Sequence, residues 1–204
     1  MSNREITRQE VEPLLRDSPL RERIDYLLDN QDLGKRVLGK FGPKDNLGDV
    51  FPNCFGTTLF VVGAQERFLA TFGNPKNTRR GFYIGNIEKP YFAFFPRKLD
   101  GPGGLEPSFM KGFFDSSCIS VNRNRLSNGD IVSIPGGYMG FFYADPVHTA
   151  IYLGKIDGTG LVFHQDGRRA DFTFDTLDKV CNRKYADKDK IKFYRFNPKG
   201  VENG

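Results

Sequence analysis

The chain has 204 residues, of which 38% are hydrophobic and 27% are charged, so it can bury a sizeable core and intrinsic disorder is not expected. The formal net charge is +5, but the basic residues are spread along the chain and the densest patches, at Arg79-Arg80 and Lys184 to Lys190, are short. This pattern favours a solvated basic surface over a specific nucleic-acid site.

Targeting signals and the spacing of the cysteines indicate the cellular compartment in which the protein is expected. The opening residues, MSNREITRQEVEP, lack the apolar stretch of a secretory signal, and no run approaches the ~18 apolar residues of a membrane span. The cysteines, Cys54, Cys118 and Cys181, are widely spaced without a CxxC pair, which argues against a disulfide framework. We therefore expect a cytoplasmic protein, or one exported without a cleaved signal peptide, and no membrane partner.

Residues 1–45 are predicted to form an N-terminal helical segment and a linker. Ser18 and Pro19 are typical of a helix start, as a cap followed by proline at the first helical position. The Gly-rich stretch 33–49 lacks the GKS or GKT ending of a phosphate loop, so we interpret it as a linker or ordered loop. The apolar residues after the cap repeat at helical spacing on one face: Leu20, Ile24, Leu27 and Leu28.

Residues 46–204 are predicted to form the main domain. The apolar run from Cys54 to about Phe72 indicates a mostly buried helix. A long insert rich in Gly, Pro and Phe follows at about 73–128, with a possible strand in PYFAFFPRKL and a turn in LDGPGGLEP. We expect the insert to shape a cleft, although core packing suits its aromatic residues equally well: Tyr91, Phe92, Phe94 and Phe95.

The last third of the chain carries the clearest strand signals. NGDIVSIP predicts a turn into a strand, HTAIYLG and GLVFHQDG predict two further strands, and IKFYRF predicts the last one. A short helix is expected between the last two, at about 174–182. Helices followed by an antiparallel sheet are typical of the α+β class, which is the fold class we expect.

The only two histidines, His148 and His164, fall at the start of one predicted strand and the end of the next. Joined by a turn at KIDGTG, these strands would be antiparallel neighbours, which brings their side chains close. With Cys54 at a helix start, the two histidines complete the parts of a thiol–imidazole nucleophile.

The chemistry of such a nucleophile requires this placement. A helix start and a nearby imidazolium would lower the thiol pKa from ~8.5 and supply the thiolate. A third polar group would hold the base in one tautomer; His164 is the candidate, with Gln165 or Asp166 as substitutes. Backbone N–H groups at the helix start, including that of Cys54, would bind the oxyanion.

Structural roles are the alternative for each of these residues. Cysteines are among the most buried residues and are usually inert, as we expect for Cys118 and Cys181. A single histidine on a strand is more often structural than catalytic. Two histidines and one cysteine would need a fourth ligand to hold a metal, so we expect no metal and no cofactor.

Three motifs resemble those of the NlpC/P60 superfamily of papain-like cysteine peptidases and amidases: NCFG (53–56), GDIVSI (129–134) and HTAIYLG (148–154). The resemblance implies Cys54 as nucleophile, His148 as base and His164 as third residue, in the superfamily's non-permuted Cys-His-His order. It also implies a papain-like fold with the nucleophile helix packed on an antiparallel sheet. Asn53 stands where the superfamily usually has Asp, and Cys54 and His148 are unusually far apart.

A cysteine hydrolase that cleaves an amide bond through an acyl-enzyme is the function that the resemblance implies. The bond would be of peptide, γ-glutamyl or isopeptide type, in a peptide, a peptidoglycan-like substrate or a protein target. We expect Asn53, Tyr91 and Gln165 to contact the substrate. Two alternatives stay open: acyl transfer or deamidation by the same residues, and a non-catalytic basic binding protein. Scattered Lys and Arg, and the absence of an RNP-type aromatic motif, count against the second alternative.

Overall fold

A computed structural model describes residues 5–40, 49–72, 82–84, 91–94, 101–138, 142–167 and 169–199. Within these ranges, six α-helices accompany a six-stranded antiparallel sheet, which confirms the α+β class. The helices are α1 (Arg8–Leu15), α2 (Arg21–Asp29), α3 (Cys54–Val61), α4 (Gln65–Phe72), α5 (Pro107–Ser117) and α6 (Leu177–Cys181).

The strands belong to three sheets. The main sheet has the order β10-β9-β8-β7-β11-β6, and two small sheets contain β1-β2 and β3-β4-β5. The strands are β1 (Gly39–Lys40), β2 (Asp49–Val50), β3 (Phe82–Ile84), β4 (Tyr91–Phe94), β5 (Gly104–Leu105), β6 (Cys118–Ser120), β7 (Ile131–Tyr138), β8 (Phe142–Ile156), β9 (Thr159–Gln165), β10 (Phe172–Thr176) and β11 (Lys192–Phe196).

The hairpin between β8 and β9 has a two-residue turn at Asp157 and Gly158. Both residues have positive φ, 50° and 79°, as in the turn that matches the twist of antiparallel strands. Ile156 pairs with Thr159 directly beside the turn. The predicted neighbouring strands are therefore confirmed.

Helices cover both faces of the main sheet. On one face, α1 and α2 share an apolar cluster with β8, β9 and β10, so the predicted N-terminal helical segment packs into the same core as the sheet. On the other face, α6 packs over residues of β7, β8 and β9. The first cluster includes Val11, Leu15, Ile24, Leu27, Ile151, Phe163 and Phe174, and the second includes Val132, Ala150, Tyr152, Val162, Leu177 and Val180.

The helix predicted from Cys54 to Phe72 is interrupted, so that prediction is wrong in extent. All eight residues of α3 are buried, and the chain turns at Gly63 before α4 begins at Gln65. Gly63 has a φ of +70°, and a Cβ there would lie 2.4 Å from Nη1 of Arg23. A left-handed glycine ends a helix readily, and the Arg23 side chain of α2 occupies the adjacent space.

Three further boundaries differ from the predictions. The helix expected at 174–182 starts at Leu177, because Phe172–Thr176 pairs with β9 as a strand. The insert contains a helix, α5, that the Gly- and Pro-rich sequence around it obscured. Helix α2 begins after the predicted cap, although the Ser18 hydroxyl does accept a hydrogen bond from the Leu20 N–H at 3.2 Å. The predicted strand in PYFAFFPRKL contains β4, and the other residues of this stretch, 90 and 95–99, lie outside the described residues.

The GD motif has a structural role at the start of β7. Asp130 is buried and forms two hydrogen bonds with the Arg195 guanidinium, at 2.7 and 2.8 Å. Its carboxylate also accepts the Ser127 N–H, and Gly129 has a φ of +91°. The motif therefore fixes the turn before β7 and ties it to β11. In the part of the chain that is described, none of the helices is long and apolar enough to cross a bilayer.

Candidate active site

The two histidines contact each other. Nε2 of His148 lies 3.2 Å from Nδ1 of His164, and the ring planes are perpendicular. The pairing of Ile151 with Phe163 sets His164 opposite Ala150, two residues from His148 on the same face of the sheet. Both side chains are buried, with 3% and 1% of their surface exposed.

His148 is neutral at pH 7. Burial lowers its pKa well below the ordinary value of 6.5, and the positive charges of His164 and Arg183 would lower the pKa further. A neutral imidazole carries one N–H and one lone pair, so it can donate one hydrogen bond and accept another. The contact through Nε2 leaves Nδ1 of His148 as the nitrogen that does not face His164.

Cys54 is the first residue of α3, and its backbone contacts β8 at the residue that follows His148. The Thr149 hydroxyl donates a hydrogen bond to the Cys54 carbonyl at 3.1 Å, and Thr149 directly follows His148. The backbone N–H groups of Thr149 and Phe55 also interact favourably with the sulfur. The amino end of α3 is thus attached to β8 at the residue beside His148.

The expectation of a resting thiolate at Cys54 is wrong. Burial raises the thiol pKa to about 11, and this effect outweighs the hydrogen bonds from Thr149 and Phe55 and the positive charge of Arg183. Only 6% of Cys54 is exposed, so desolvation of the anion is the dominant cost. At rest, the site therefore combines a protonated thiol with a neutral imidazole.

Gln165 holds the helix on the sheet. Its Oε1 accepts a hydrogen bond from the Thr57 hydroxyl at 2.9 Å, and its Nε2 donates to the carbonyls of Gly34 and Ala170, each at 3.1 Å. It faces α3, whereas His164 faces the other side of the sheet. These bonds occupy the whole buried amide and support a structural role, while its predicted contact with substrate stays a prediction.

Asn53 is the cap of α3. Its Oδ1 accepts the Gly56 N–H at 3.1 Å, and its Nδ2 donates to the Leu105 carbonyl at 2.8 Å. An aspartate would keep the acceptor and lose the donor, which explains why an amide suits this position. The side chain is buried and its oxygen and one N–H are used within the protein, and its predicted contact with substrate stays a prediction.

Arg183 is a charged residue of the site that sequence analysis missed. Its guanidinium is paired with Asp166 and donates to the Tyr185 hydroxyl at 2.9 Å, with only 14% of the side chain exposed. Its positive charge favours the thiolate of Cys54 and the neutral form of His148. Arg183 lies in the loop after α6, and no local pattern distinguishes it from other basic residues there. Asp166 pairs with Arg183, so it does not replace His164 beside the base.

Asp175 was also missed. Its Oδ2 lies 3.6 Å from Nε2 of His164, and its Oδ1 lies 2.8 Å from Nζ of Lys179. The alternation of apolar and polar residues in FTFDT would have predicted a strand here. The helix predicted at 174–182 included part of this stretch, so the strand was not recognised.

The remaining candidate residues are the other two cysteines and Tyr91. Cys118 and Cys181 are buried free thiols whose pKa values burial raises to about 12 and about 11. Tyr91 begins β4, and its side chain falls outside what the structure describes. The described residues contain no group of three or more His, Cys, Asp or Glu arranged to hold a metal ion.

Comparisons with known proteins do not assign this chain to a family. The chain matches no protein-family model, and neither the curated proteins nor the solved structures contain a significant match. The similarity to the NlpC/P60 superfamily therefore rests on the three sequence motifs.

Proposed function

We propose that this protein is a cysteine hydrolase of the NlpC/P60 type that cleaves an amide bond. Cys54 is the nucleophile, His148 is the general base and acid, and His164 orients His148. The observation that carries the proposal is the buried contact between Nε2 of His148 and Nδ1 of His164, beside the amino end of the helix that Cys54 begins. Burial and nearby positive charges lower the pKa of His148, and shifts of this kind are concentrated at functional sites.

The first half of the reaction forms a thioester. Nδ1 of His148 takes the thiol proton as the Cys54 sulfur attacks the carbonyl carbon of the amide. The backbone N–H of Cys54, at the positive end of α3, stabilises the oxyanion. The C–N bond then breaks, and His148 returns its proton to the departing amine.

The second half releases the acid. His148 takes a proton from a water molecule as that water attacks the thioester carbonyl, and the tetrahedral intermediate expels the Cys54 sulfur. The sulfur recovers its proton from His148, which restores the neutral pair. Because thiol and imidazole both start neutral, His148 acts as a base during attack, and no resting ion pair is required.

The substrate class extends to peptide, γ-glutamyl and isopeptide bonds in peptides, peptidoglycan-like polymers or proteins. Acyl transfer and deamidation use the same residues, so product analysis separates the three reactions. Hydrolysis gives a free acid and an amine, deamidation gives a free acid and ammonia, and transfer moves the acyl group to a second molecule.

A labelling experiment tests the nucleophile without a known substrate. The folded protein is treated with an iodoacetamide probe at pH 8, and the modified peptides are identified by mass spectrometry. We expect Cys54 to be labelled faster than Cys118 or Cys181. In His148→Ala, we expect the labelling rate of Cys54 to decrease by roughly 10-fold or more. Labelling of Cys118 or Cys181 with Cys54 silent would refute the assignment.

Amide hydrolysis is then measured on a panel of peptide, γ-glutamyl and isopeptide compounds. We expect activity in the wild type, none in Cys54→Ala, and unaltered activity in Cys118→Ala, which removes a buried thiol outside the site. Equal melting temperatures of Cys54→Ala and wild type would show that the loss is chemical.

A further inference from the structure

The outer nitrogen of His164 is buried without a hydrogen-bond partner among the described residues. This nitrogen, Nε2, forms no hydrogen bond, and Oδ2 of Asp175 lies 3.6 Å from it. Asp175 itself is 7% exposed. A side-chain movement of about 0.5 Å would convert this contact into a normal hydrogen bond.

The sheet places the three side chains in a row. His148 lies on β8, His164 on β9 and Asp175 on β10, and the register pairs Asp175 with Val162, which shares a face with His164. Asp175 is therefore the diagonal neighbour of His164 across the ladder, as His164 is of His148. The row extends one strand beyond the histidine pair.

We propose that Asp175 is a positioning residue that fixes the tautomers of both histidines. The carboxylate accepts the Nε2–H of His164, which leaves Nδ1 of His164 as an acceptor for the Nε2–H of His148. Nδ1 of His148 then carries the lone pair that the thiol proton needs. The inference rests on the proposed function, in which Cys54 transfers its proton to His148.

The opposite arrangement would disable the base. With the proton of His164 on Nδ1, that N–H would point at Nε2 of His148, which would then be the acceptor. The proton of His148 would then be on Nδ1, and this nitrogen would have no lone pair to accept the thiol proton of Cys54. The lone pair of His164 Nε2 would also face a carboxylate, which is repulsive.

Charges around the row favour the first arrangement. Burial alone would raise the pKa of Asp175, but its interactions with the nearby His164 ring and with Lys179 lower it overall, so the carboxylate is ionised at pH 7. Lys179 engages Oδ1 and leaves Oδ2 for His164. The positive charge of Arg183 affects the pKa values of both His148 and Cys54. Arg183 itself forms an ion pair with Asp166.

The tautomers can be measured directly, because the chain contains only two histidines. With ¹⁵N-labelled histidine at pH 8, long-range ¹H–¹⁵N spectra distinguish Nδ1–H from Nε2–H rings. We expect Nε2–H tautomers for both rings in the wild type. In Asp175→Asn, the amide can donate to His164 Nε2, and we expect Nδ1–H forms of both histidines to appear.

Two variants make the measurement specific. Lys179→Met removes the other partner of the carboxylate and should leave both tautomers unchanged at pH 8. Asp175→Glu retains a carboxylate and should restore part of the wild-type pattern. Rates of Cys54 alkylation follow the tautomers: we expect roughly a 10- to 100-fold decrease in Asp175→Asn and less than about twofold in Lys179→Met.

The result separates this inference from the proposed function. Nδ1–H tautomers in the wild type, or identical spectra of the wild type and a folded Asp175→Asn, would overturn the role of Asp175 even if the protein cleaves amides. The expected tautomers in a protein whose Cys54→Ala variant keeps full amidase activity would instead refute Cys54 as the nucleophile. Asp175→Ser also lacks the carboxylate and provides the same spectral comparison if Asp175→Asn fails to fold.

Discussion

The hydroxyl of Thr149 donates a hydrogen bond to the carbonyl of Cys54 at 3.1 Å and lies 2.9 Å from the hydroxyl of Thr58. Thr149 follows the base of the proposed reaction, and Cys54 is its nucleophile. One buried hydroxyl thus joins two segments that are 95 positions apart in the chain.

Replacement of that hydroxyl should destabilise the site. Thr149→Val keeps the shape of the side chain but leaves the Cys54 carbonyl and the Thr58 hydroxyl without this partner. We expect the free energy of unfolding to decrease by about 1–3 kcal/mol, as for other buried unpaired polar groups. Urea unfolding measures the change. Thr149→Ser retains the hydroxyl and is the matched control; an equal loss in both variants would assign the effect to packing.

The pH dependence of Cys54 alkylation tests the raised thiol pKa. A thiol with a pKa of about 11 is almost entirely protonated at neutral pH, so its thiolate population increases about tenfold per pH unit. In His148→Ala, which lacks the base, we expect the alkylation rate constant of Cys54 to rise in this way between pH 7 and 9, whereas in the wild type proton transfer to His148 adds a component that is constant over this range. A rate constant in His148→Ala that does not change between pH 7 and 9 would contradict the raised thiol pKa. The stopped-flow measurement is best made in Cys118→Ala/Cys181→Ala, if that variant remains folded.

Protein stability should decrease as pH falls below 6.5. Because burial holds the pKa of folded His148 well below 6.5, the unfolded chain binds its proton first, and acid favours unfolding. The slope from this residue reaches about 1.4 kcal/mol per pH unit. Urea unfolding at pH 7.0, 6.0 and 5.0 measures it. In His148→Gln the dependence should be shallower, and parallel curves would show that His148 accepts a proton in the folded state.

Gly56 tolerates no side chain. A Cβ there would lie 1.7 Å from the carbonyl oxygen of Gly103, so the main chain would have to move. We expect Gly56→Ala to lower the free energy of unfolding by about 1–3 kcal/mol and to slow Cys54 alkylation. Gly112→Ala in α5 is the control, because its Cβ would lie 3.2 Å from the Phe72 ring and alanine favours a helix. Equal stability of the two variants would contradict the steric argument.

Local signals were sufficient for the histidine pair. The Asp157-Gly158 turn and the alternating residues on both sides of it predict the hairpin, and the hairpin places His148 near His164. These features depend on a short piece of chain. The same reasoning identified β7 from the turn at Gly129 and β11 from the pattern of IKFYRF.

The properties that sequence analysis missed depend on distant contacts. The break between α3 and α4 falls at the left-handed Gly63, beside which the distant Arg23 side chain lies, and the strand that carries Asp175 is defined by pairing with β9. The thiol pKa was predicted to be low because a helix start is recognisable in sequence. The burial that raises the pKa arises from the packing of α3 between the sheet and other helices.

The main chain of Gly103 connects the insert to the residue that precedes the nucleophile. Its carbonyl accepts the Asn53 N–H at 3.2 Å, and the carbonyls of Leu105 and Gly101 accept hydrogen bonds from the Asn53 and Gln65 side chains. These contacts from the insert are made by backbone atoms, which every residue possesses. Substitutions at exposed positions of the insert therefore leave these hydrogen bonds in place, provided that glycine remains at 56 and 104, where a Cβ would meet the main chain of Gly103 or Phe51, and that the backbone path at 101–105 is retained.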